Sequence, residues 1–185
     1  MIKYVLHGGE KRNETMDVSH FFRELTYTDK STLNVLLVYF ARPENMWEEL
    51  SQKDKNHFEN GVSKPIVIKV ATLGTFEEDL VWADIIYLKG GDGPMLTDKL
   101  SRYHDLIGKF DGKVVGAISA GVNALSKYYY SLKGDRVLEG LGILNVKVFT
   151  HFENDMTEEL TELERHNEDL DVLTIPEGEF VVINN

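Results

Sequence analysis

The chain has no cysteine, only four prolines and fewer basic than acidic residues. Because cysteine is absent, a disulfide framework, a thiolate-rich zinc site and a thiolate nucleophile are all excluded. Any covalent chemistry must therefore use an oxygen or nitrogen atom. The 20 Lys and Arg residues against 31 Asp and Glu residues give a formal net charge of −11, which disfavours nucleic acid as a partner.

Long hydrophobic runs are also absent. No stretch approaches the roughly 20 apolar residues of a membrane-spanning helix, and the apolar start at residues 2–6 runs directly into a His-Gly-Gly sequence, unlike a signal peptide. We therefore expect a cytoplasmic protein that has no membrane partner. With 185 residues, 42% of them hydrophobic, and no repeat or linker, the chain is predicted to form one domain over residues 1–185.

Short runs of β-branched and apolar residues alternate with longer amphipathic segments. This alternation predicts βα units around a mainly parallel sheet, and the continuously apolar runs fit strands that helices cover on both faces. The predicted strands are 2–6, 33–40, 66–70, 85–88, 114–118, 147–149, 172–175 and 180–183. Asp17 or Ser19 is predicted to cap a helix, and further helices are predicted to run from Pro94 to about Ile107 and to cover 44–60 and 156–168.

The most informative segment is 114–125, which is predicted to run from a strand through a sharp turn into a helix. Ser119 occupies the turn at the carboxyl end of the sheet, and its small neighbours permit the bend. The first backbone N–H groups of the following helix can stabilise an oxyanion there. The pattern differs from G-x-S-x-G because Ala117 stands in place of the first glycine. The residues alone equally allow a helix start that is packed for steric reasons.

A second candidate is the loop formed by Gly90, Gly91 and Asp92 between a predicted strand and a predicted helix. Paired glycines leave backbone N–H groups free to face a ligand, and such loops gather at the carboxyl edge of an open sheet. The loop lacks the G-K-[ST] of a P-loop and the last glycine of a dinucleotide fingerprint. It is predicted to donate to an oxyanion beside Ser119, and an ordinary tight turn is the alternative.

A serine hydroxyl needs a base to take its proton, and the base needs an acceptor behind it. His151 closes a predicted strand and is the best-placed base, whereas His7, at the end of another strand, is the second candidate for the base or for substrate binding. Glu177, in a Pro-Glu-Gly turn, is the candidate acceptor. Glu153 and Asp135 are alternatives to it.

Four segments in this order resemble the peptidase E group of serine peptidases, the aspartyl dipeptidase-like enzymes related to cyanophycinase. They are residues 90–92, 118–123, 150–152 and 169–178. The fold of that group is similar to class I glutamine amidotransferases. The resemblance covers nearly the whole chain and implies an α/β three-layer sandwich with a mainly parallel central sheet.

The resemblance also implies a catalytic site. It implies a Ser-His-Glu triad of Ser119, His151 and Glu177, with the backbone N–H groups of Gly91 and Ala120 as the oxyanion hole. A hydrolase of this kind acts on a small peptide or other amide and needs neither a metal nor an organic cofactor. The further residues that we expect near the site are Gly90, Asp92, Asn123 and His7.

The stretch after His151 differs from relatives that prefer aspartyl substrates, which carry a longer and more basic segment there. In this chain the stretch is short and acidic over residues 153–158. A substrate carboxylate would meet these acids, so the sequence does not predict a preference for Asp-Xaa dipeptides. Three cations that belong to no motif are Arg12, Arg42 and Arg165.

Two other functions stay open. A non-catalytic protein can use the same scaffold and pocket to bind a small ligand, since fold does not fix function. A hydrogen bond from Ser119 to His151 with Glu177 behind the ring would favour the enzyme. A pocket filled by the tyrosine run 128–130, which is otherwise predicted to pack in a helix, would favour the binding protein. The weaker third function is an acidic interaction module that acts through the helix at 156–168.

Overall fold

Two β-sheets and the helices that pack against them make up the part of the fold that the structure describes. A computed structural model of the chain describes residues 1–10, 17–60, 62 and 64–185. The strands are β1 (Lys3–His7), β2 (Leu33–Val38), β3 (Ile66–Val70), β4 (Ile85–Leu88), β5 (Val114–Ile118), β6 (Ser126–Ser131), β7 (Arg136–Glu139), β8 (Leu144–Thr150), β9 (Val172–Ile175) and β10 (Phe180–Asn184). The helices are α1 (Ser19–Thr26), α2 (Trp47–Asn60), α3 (Phe76–Trp82), α4 (Gly93–Leu100), α5 (Leu106–Phe110), α6 (Ala120–Leu125) and α7 (Thr157–Arg165).

The larger sheet has six strands in the order β10-β1-β5-β4-β2-β3. All of its neighbouring pairs are parallel except β1 with β10. The second sheet has the order β7-β6-β8-β9, in which only the β6–β7 pair is antiparallel. The prediction of an α/β fold with a mainly parallel sheet is confirmed.

Helices cover both faces of the six-stranded sheet. Residues of β4 alternate between the two faces: Ile85 and Tyr87 pack against α1 and α2, whereas Ile86 and Leu88 pack against α3 to α6. All four are fully buried, which explains why the strand reads as a continuous apolar run. The second sheet contributes to the same core as α3 to α6, and it packs its outer face against α7.

The tyrosine run lies in strand β6, so its predicted place in a helix is wrong. Tyr129 faces the core that the second sheet shares with α3 to α6, here called the main core, whereas Tyr128 and Tyr130 face α7 beside Leu163. This alternation has the period of a strand, which aromatic side chains favour. The strand begins at Ser126, directly after Leu125 ends α6, and no glycine or proline marks the boundary.

The helix predicted from Pro94 to about Ile107 is two helices. Asp92 caps α4, because its side chain accepts a hydrogen bond from the backbone N–H of Met95, and Pro94 stands in the first turn as expected. Asp105 starts α5 in the same way, with its side chain accepting from Gly108 N and its backbone at φ 54°. Helix α3 and strand β7 were not predicted. No helix in the described ranges is long and apolar enough to cross a membrane.

Candidate active site

Three neighbouring parallel strands bring His7, Ser119 and the loop at Gly90 to one edge of the larger sheet. His151 and Glu177 follow β8 and β9 of the second sheet. His7 ends β1 and lies opposite Ile118 of β5, and Leu88 of β4 lies opposite Ala117 of β5. The carboxyl ends of β1, β4 and β5 therefore meet, as they do at the ligand-binding edge of open α/β sheets. Ser119 follows β5 directly.

Ser119 forms a sharp turn between β5 and α6. Its backbone has φ 49° and ψ −105°, a conformation that costs a non-glycine residue energy and that clusters at functional sites. Its N–H donates to His7 O at 2.9 Å, and its carbonyl accepts from Asn123 N at 3.0 Å. A Cβ at Gly121 would lie 2.6 Å from Leu88 O, so only glycine lets α6 start this close to β4.

Two short hydrogen bonds join Ser119, His151 and Glu177. Ser119 Oγ lies 2.8 Å from His151 Nε2, and His151 Nδ1 lies 2.6 Å from Glu177 Oε1. When Nδ1 carries the ring proton and donates it to Glu177, Nε2 is free to accept the proton of the serine hydroxyl. The side chains of His151 and Glu177 are 28% and 24% exposed, so the group can be reached from solvent.

Gly8 and Gly9 hold the histidine and the glutamate in place, a role that was not predicted from the sequence. His151 has φ 57° and donates its backbone N–H to Gly8 O at 3.0 Å. Gly9 lies against the ring, because a Cβ there would be 2.1 Å from His151 Cε1. Gly9 O accepts from Gly178 N at 2.9 Å, which fastens the turn that carries Glu177. A Gly-Gly pair directly after a strand was the available sequence signal.

The Gly90-Gly91 loop lies between Ser119 and the end of β2. A Cβ at Gly90 would be 3.4 Å from Ser119 Cβ, and a Cβ at Gly91 would be 2.3 Å from Ala41 O. Arg42 Nε donates to Gly90 O at 2.6 Å. The backbone N–H groups of Gly91 and Ala120 donate to no acceptor within the described part of the chain.

Asp92 and Asn123 make structural contacts beside this site. Besides capping α4, Asp92 lies 3.2 Å from Lys133 Nζ, and the backbone hydrogen bond from Met95 is the main cause that lowers the pKa of its carboxyl group. Asn123 Oδ1 accepts from Thr150 Oγ1 at 3.2 Å, which connects α6 to the end of β8 just before His151.

His7 supports the loop next to the site and does not bond to the serine hydroxyl. Its ring is buried, and Nδ1 accepts from Gly9 N at 3.1 Å. Burial lowers the pKa of His7 to about 4, against a weaker opposing effect of the Glu10 carboxylate. His7 therefore stays neutral at pH 7, and its imidazole accepts a hydrogen bond that fixes the Gly8-Gly9 loop.

The two acids that were alternatives to Glu177, and the three arginines that belong to no motif, were also located. Asp135 accepts from Tyr130 OH at 2.8 Å, and Glu153 is exposed. Of the three arginines, Arg42 contacts the Gly90-Gly91 loop, Arg165 is exposed at the end of α7, and Arg12 lies outside the described residues. Among the residues that the structure describes, no three His, Asp or Glu side chains converge as ligands for a metal.

Comparisons with known proteins agree with this architecture. The profile of peptidase family S51 matches residues 5–185, which is nearly the whole chain. The crystal structure of a candidate peptidase E from Listeria monocytogenes EGD-e is similar, with a TM-score of 0.67 and 17% sequence identity. The similarity covers 100% of this chain and 99% of that chain, and at this identity it shows the fold. No curated protein matches the chain significantly.

Proposed function

The chain belongs to peptidase family S51 and is a serine-type peptidase, and from this premise we propose that Ser119 is its nucleophile. His151 is the general base and acid, and Glu177 orients the imidazole and stabilises its protonated form. The observation that carries the proposal is the continuous pair of hydrogen bonds, 2.8 Å from Ser119 Oγ to His151 Nε2 and 2.6 Å from His151 Nδ1 to Glu177 Oε1.

The reaction runs through an acyl-enzyme. Ser119 Oγ attacks the carbonyl carbon of the substrate amide while His151 Nε2 takes the hydroxyl proton. The tetrahedral intermediate collapses, the C–N bond breaks, and His151 returns the proton to the leaving amine. Water then attacks the ester with His151 again as base, the C–Oγ bond breaks, and the serine recovers its proton.

Two backbone donors stabilise the tetrahedral intermediate. Ala120 follows Ser119 in the chain, and Gly91 follows Gly90, where an added Cβ would be 3.4 Å from Ser119 Cβ. The N–H groups of Gly91 and Ala120 both lack a protein acceptor in the described ranges. A donor of this kind is worth about 3 kcal/mol of transition-state stabilisation. The N–H of Ala120 belongs to the first turn of α6, where the helix has unpaired N–H groups.

The substrate is a small peptide or another small amide, without a preference for an aspartyl side chain. The loop that follows His151 carries Glu153 and Asp155, and both are exposed. Their carboxylates disfavour an acidic group bound on that side of the site.

A non-catalytic binding function on the same scaffold is less well supported. Tyr129 is buried in the main core, and Tyr128 and Tyr130 are buried against α7. The tyrosine run thus packs inside the protein, while the histidine ring faces the serine hydroxyl.

The test is hydrolysis of a panel of dipeptides and short peptides, including Asp-Xaa members, by the native protein and by Ser119→Ala. We expect turnover of some members by the native protein and none by Ser119→Ala. Ser101→Ala, which removes an exposed hydroxyl at the end of α4, is the matched control and should keep full activity. Equal turnover by Ser119→Ala and native protein would refute the assignment of the nucleophile.

A further inference from the structure

The local backbone does not by itself fix the orientation of the peptide group between Gly90 and Gly91. Neither residue has a Cβ, so the peptide plane can rotate more freely than elsewhere in a chain. Its ends are fixed, because Lys89 N donates to Val38 O at 3.1 Å and Asp92 N donates to Ala41 O at 2.9 Å. Those bonds do not determine which way the plane between them faces.

Arg42 supplies the missing contact. Its Nε donates to Gly90 O at 2.6 Å, and it is the only donor to that oxygen within the described part of the chain. A cationic donor makes a stronger hydrogen bond than a neutral one. The arginine makes no ion pair with a carboxylate among the described residues, so no such pair offsets its charge near Gly90 O.

The planarity of the peptide transmits this contact to the neighbouring N–H group. In a trans peptide, the C=O of Gly90 and the N–H of Gly91 point in opposite directions. Because the carbonyl faces Arg42, the N–H of Gly91 must face away from the guanidinium. A positive charge on the carbonyl side also polarises the peptide and strengthens its N–H as a donor.

Arg42 is itself held by its surroundings. Its backbone N–H donates to Tyr39 O at 2.8 Å, and its carbonyl accepts from Trp47 Nε1 at 3.1 Å. A Cβ at Gly91 would be 2.9 Å from Arg42 Nε, so the side chain fills the space that glycine leaves.

We propose that Arg42 is a positioning residue that aims and polarises the Gly91 N–H toward the oxyanion formed at Ser119. The proposal rests on the proposed function, because it needs Gly91 as an oxyanion donor. Arg42 does not touch the reacting atoms in this role, and its effect should therefore appear in the rate of the bond-forming step and not in the affinity for the reagent or substrate.

Two variants of equal length separate the hydrogen bond from packing and from charge. In Arg42→Gln, Nε2 stands the same number of bonds from Cα as arginine Nε and keeps a donor for Gly90 O. In Arg42→Met, a methyl group takes that place and no donor is left. Arg165→Met removes the same charge from an exposed position on α7 and is the control.

The readout is the covalent reaction of Ser119 with a fluorophosphonate, which needs no knowledge of the substrate. Saturation kinetics give the maximal labelling rate and the apparent dissociation constant separately. We expect Arg42→Met to lower the maximal rate by about 10- to 100-fold with the dissociation constant unchanged, which is less than the loss of a whole donor. Arg42→Gln should recover most of that rate, Arg165→Met should match the native protein, and all should melt within a few degrees of it.

Other results overturn the proposal in distinguishable ways. Unchanged rates in both Arg42 variants would mean that the peptide keeps its orientation without Arg42. Equal losses in the Gln and Met variants would show that the hydrogen bond to Gly90 O does not orient the peptide, and a raised dissociation constant would assign Arg42 to direct binding of the reagent. If the native protein is not labelled at Ser119 at all, the proposed function fails first and takes this proposal with it.

Discussion

At the scale of single residues, Gly9 controls the position of the His151 ring. An added Cβ would be 2.1 Å from Cε1 and 2.5 Å from Nε2, and the backbone at φ 133° already disfavours a side chain. We predict that Gly9→Ala displaces the ring and lowers peptide hydrolysis by at least about 100-fold, the scale of losing general base catalysis. Gly74→Ala, where an added Cβ meets nothing within 4 Å, should leave the rate unchanged. An active Gly9→Ala variant with native circular dichroism would contradict this account of the loop.

His7 makes stability depend on pH. Its pKa is lowered to about 4 in the folded protein, so between pH 6.5 and 4 the unfolded chain binds the extra proton and the folded one does not. The free energy of unfolding should therefore fall as the pH falls through this window. Between pH 7 and pH 4 the lowered pKa of His7 reduces the free energy of unfolding by about 3 kcal/mol.

The matched variant is His7→Asn, which keeps an acceptor for Gly9 N without a titrating group. Urea unfolding at pH 7 and pH 4 should show a smaller loss of stability on acidification than in the native protein. His104→Asn, at an exposed position, should retain the native pH dependence. A native slope in His7→Asn would show that other groups cause the acid sensitivity.

At the scale of elements, a buried ion pair ties α2 to the end of β4. Asp54 of α2 is fully buried, with Lys89 Nζ at 3.0 Å and Tyr39 OH at 3.0 Å. Asp54→Ala would leave the Lys89 ammonium without this partner, and we predict a loss of about 3–5 kcal/mol. Asp98→Ala breaks the exposed pair with Arg102 and should cost less than about 1 kcal/mol in denaturant unfolding. Equal losses in the two variants would show that burial does not decide the effect.

The elements that were easiest to predict from the sequence are the strands that helices cover on both faces. Strands β4 and β5 are buried on both faces, so their apolar runs are unambiguous. Strand β6 has no such run and starts without a turn, and its tyrosines alternate between two different cores. The interruption between α4 and α5 depends on the cap at Asp105, which periodicity alone does not reveal.

The ends of strands made part of the candidate site predictable from the sequence. Ser119 follows a strand of the larger sheet, where the parallel topology gathers strand ends at one edge, whereas His151 and Glu177 follow β8 and β9 of the second sheet. The contacts of Gly9 and Arg42 depend on close approach between loops far apart in the chain, which no local pattern encodes. The resemblance to peptidase E supplied the grouping that isolated motifs did not.

At the scale of the whole molecule, the net charge of −11 should bias which peptides reach the site. We predict that kcat/KM at low ionic strength is higher for a peptide of charge +2 than for a matched peptide of charge −2. The difference should shrink as salt is added, because added ions screen the long-range field. A preference for the anionic peptide would contradict both this argument and the proposed lack of aspartyl specificity.

The absence of cysteine makes the central claim unusually direct to test, because no thiol competes with Ser119 for an electrophile. The measurement is mass spectrometry of the protein after reaction with a fluorophosphonate, with the modified residue mapped by proteolysis. We expect one phosphonate on Ser119 in the native protein and none in Ser119→Ala. An unlabelled native protein under conditions where a known serine hydrolase reacts, or a label on another residue, would contradict it.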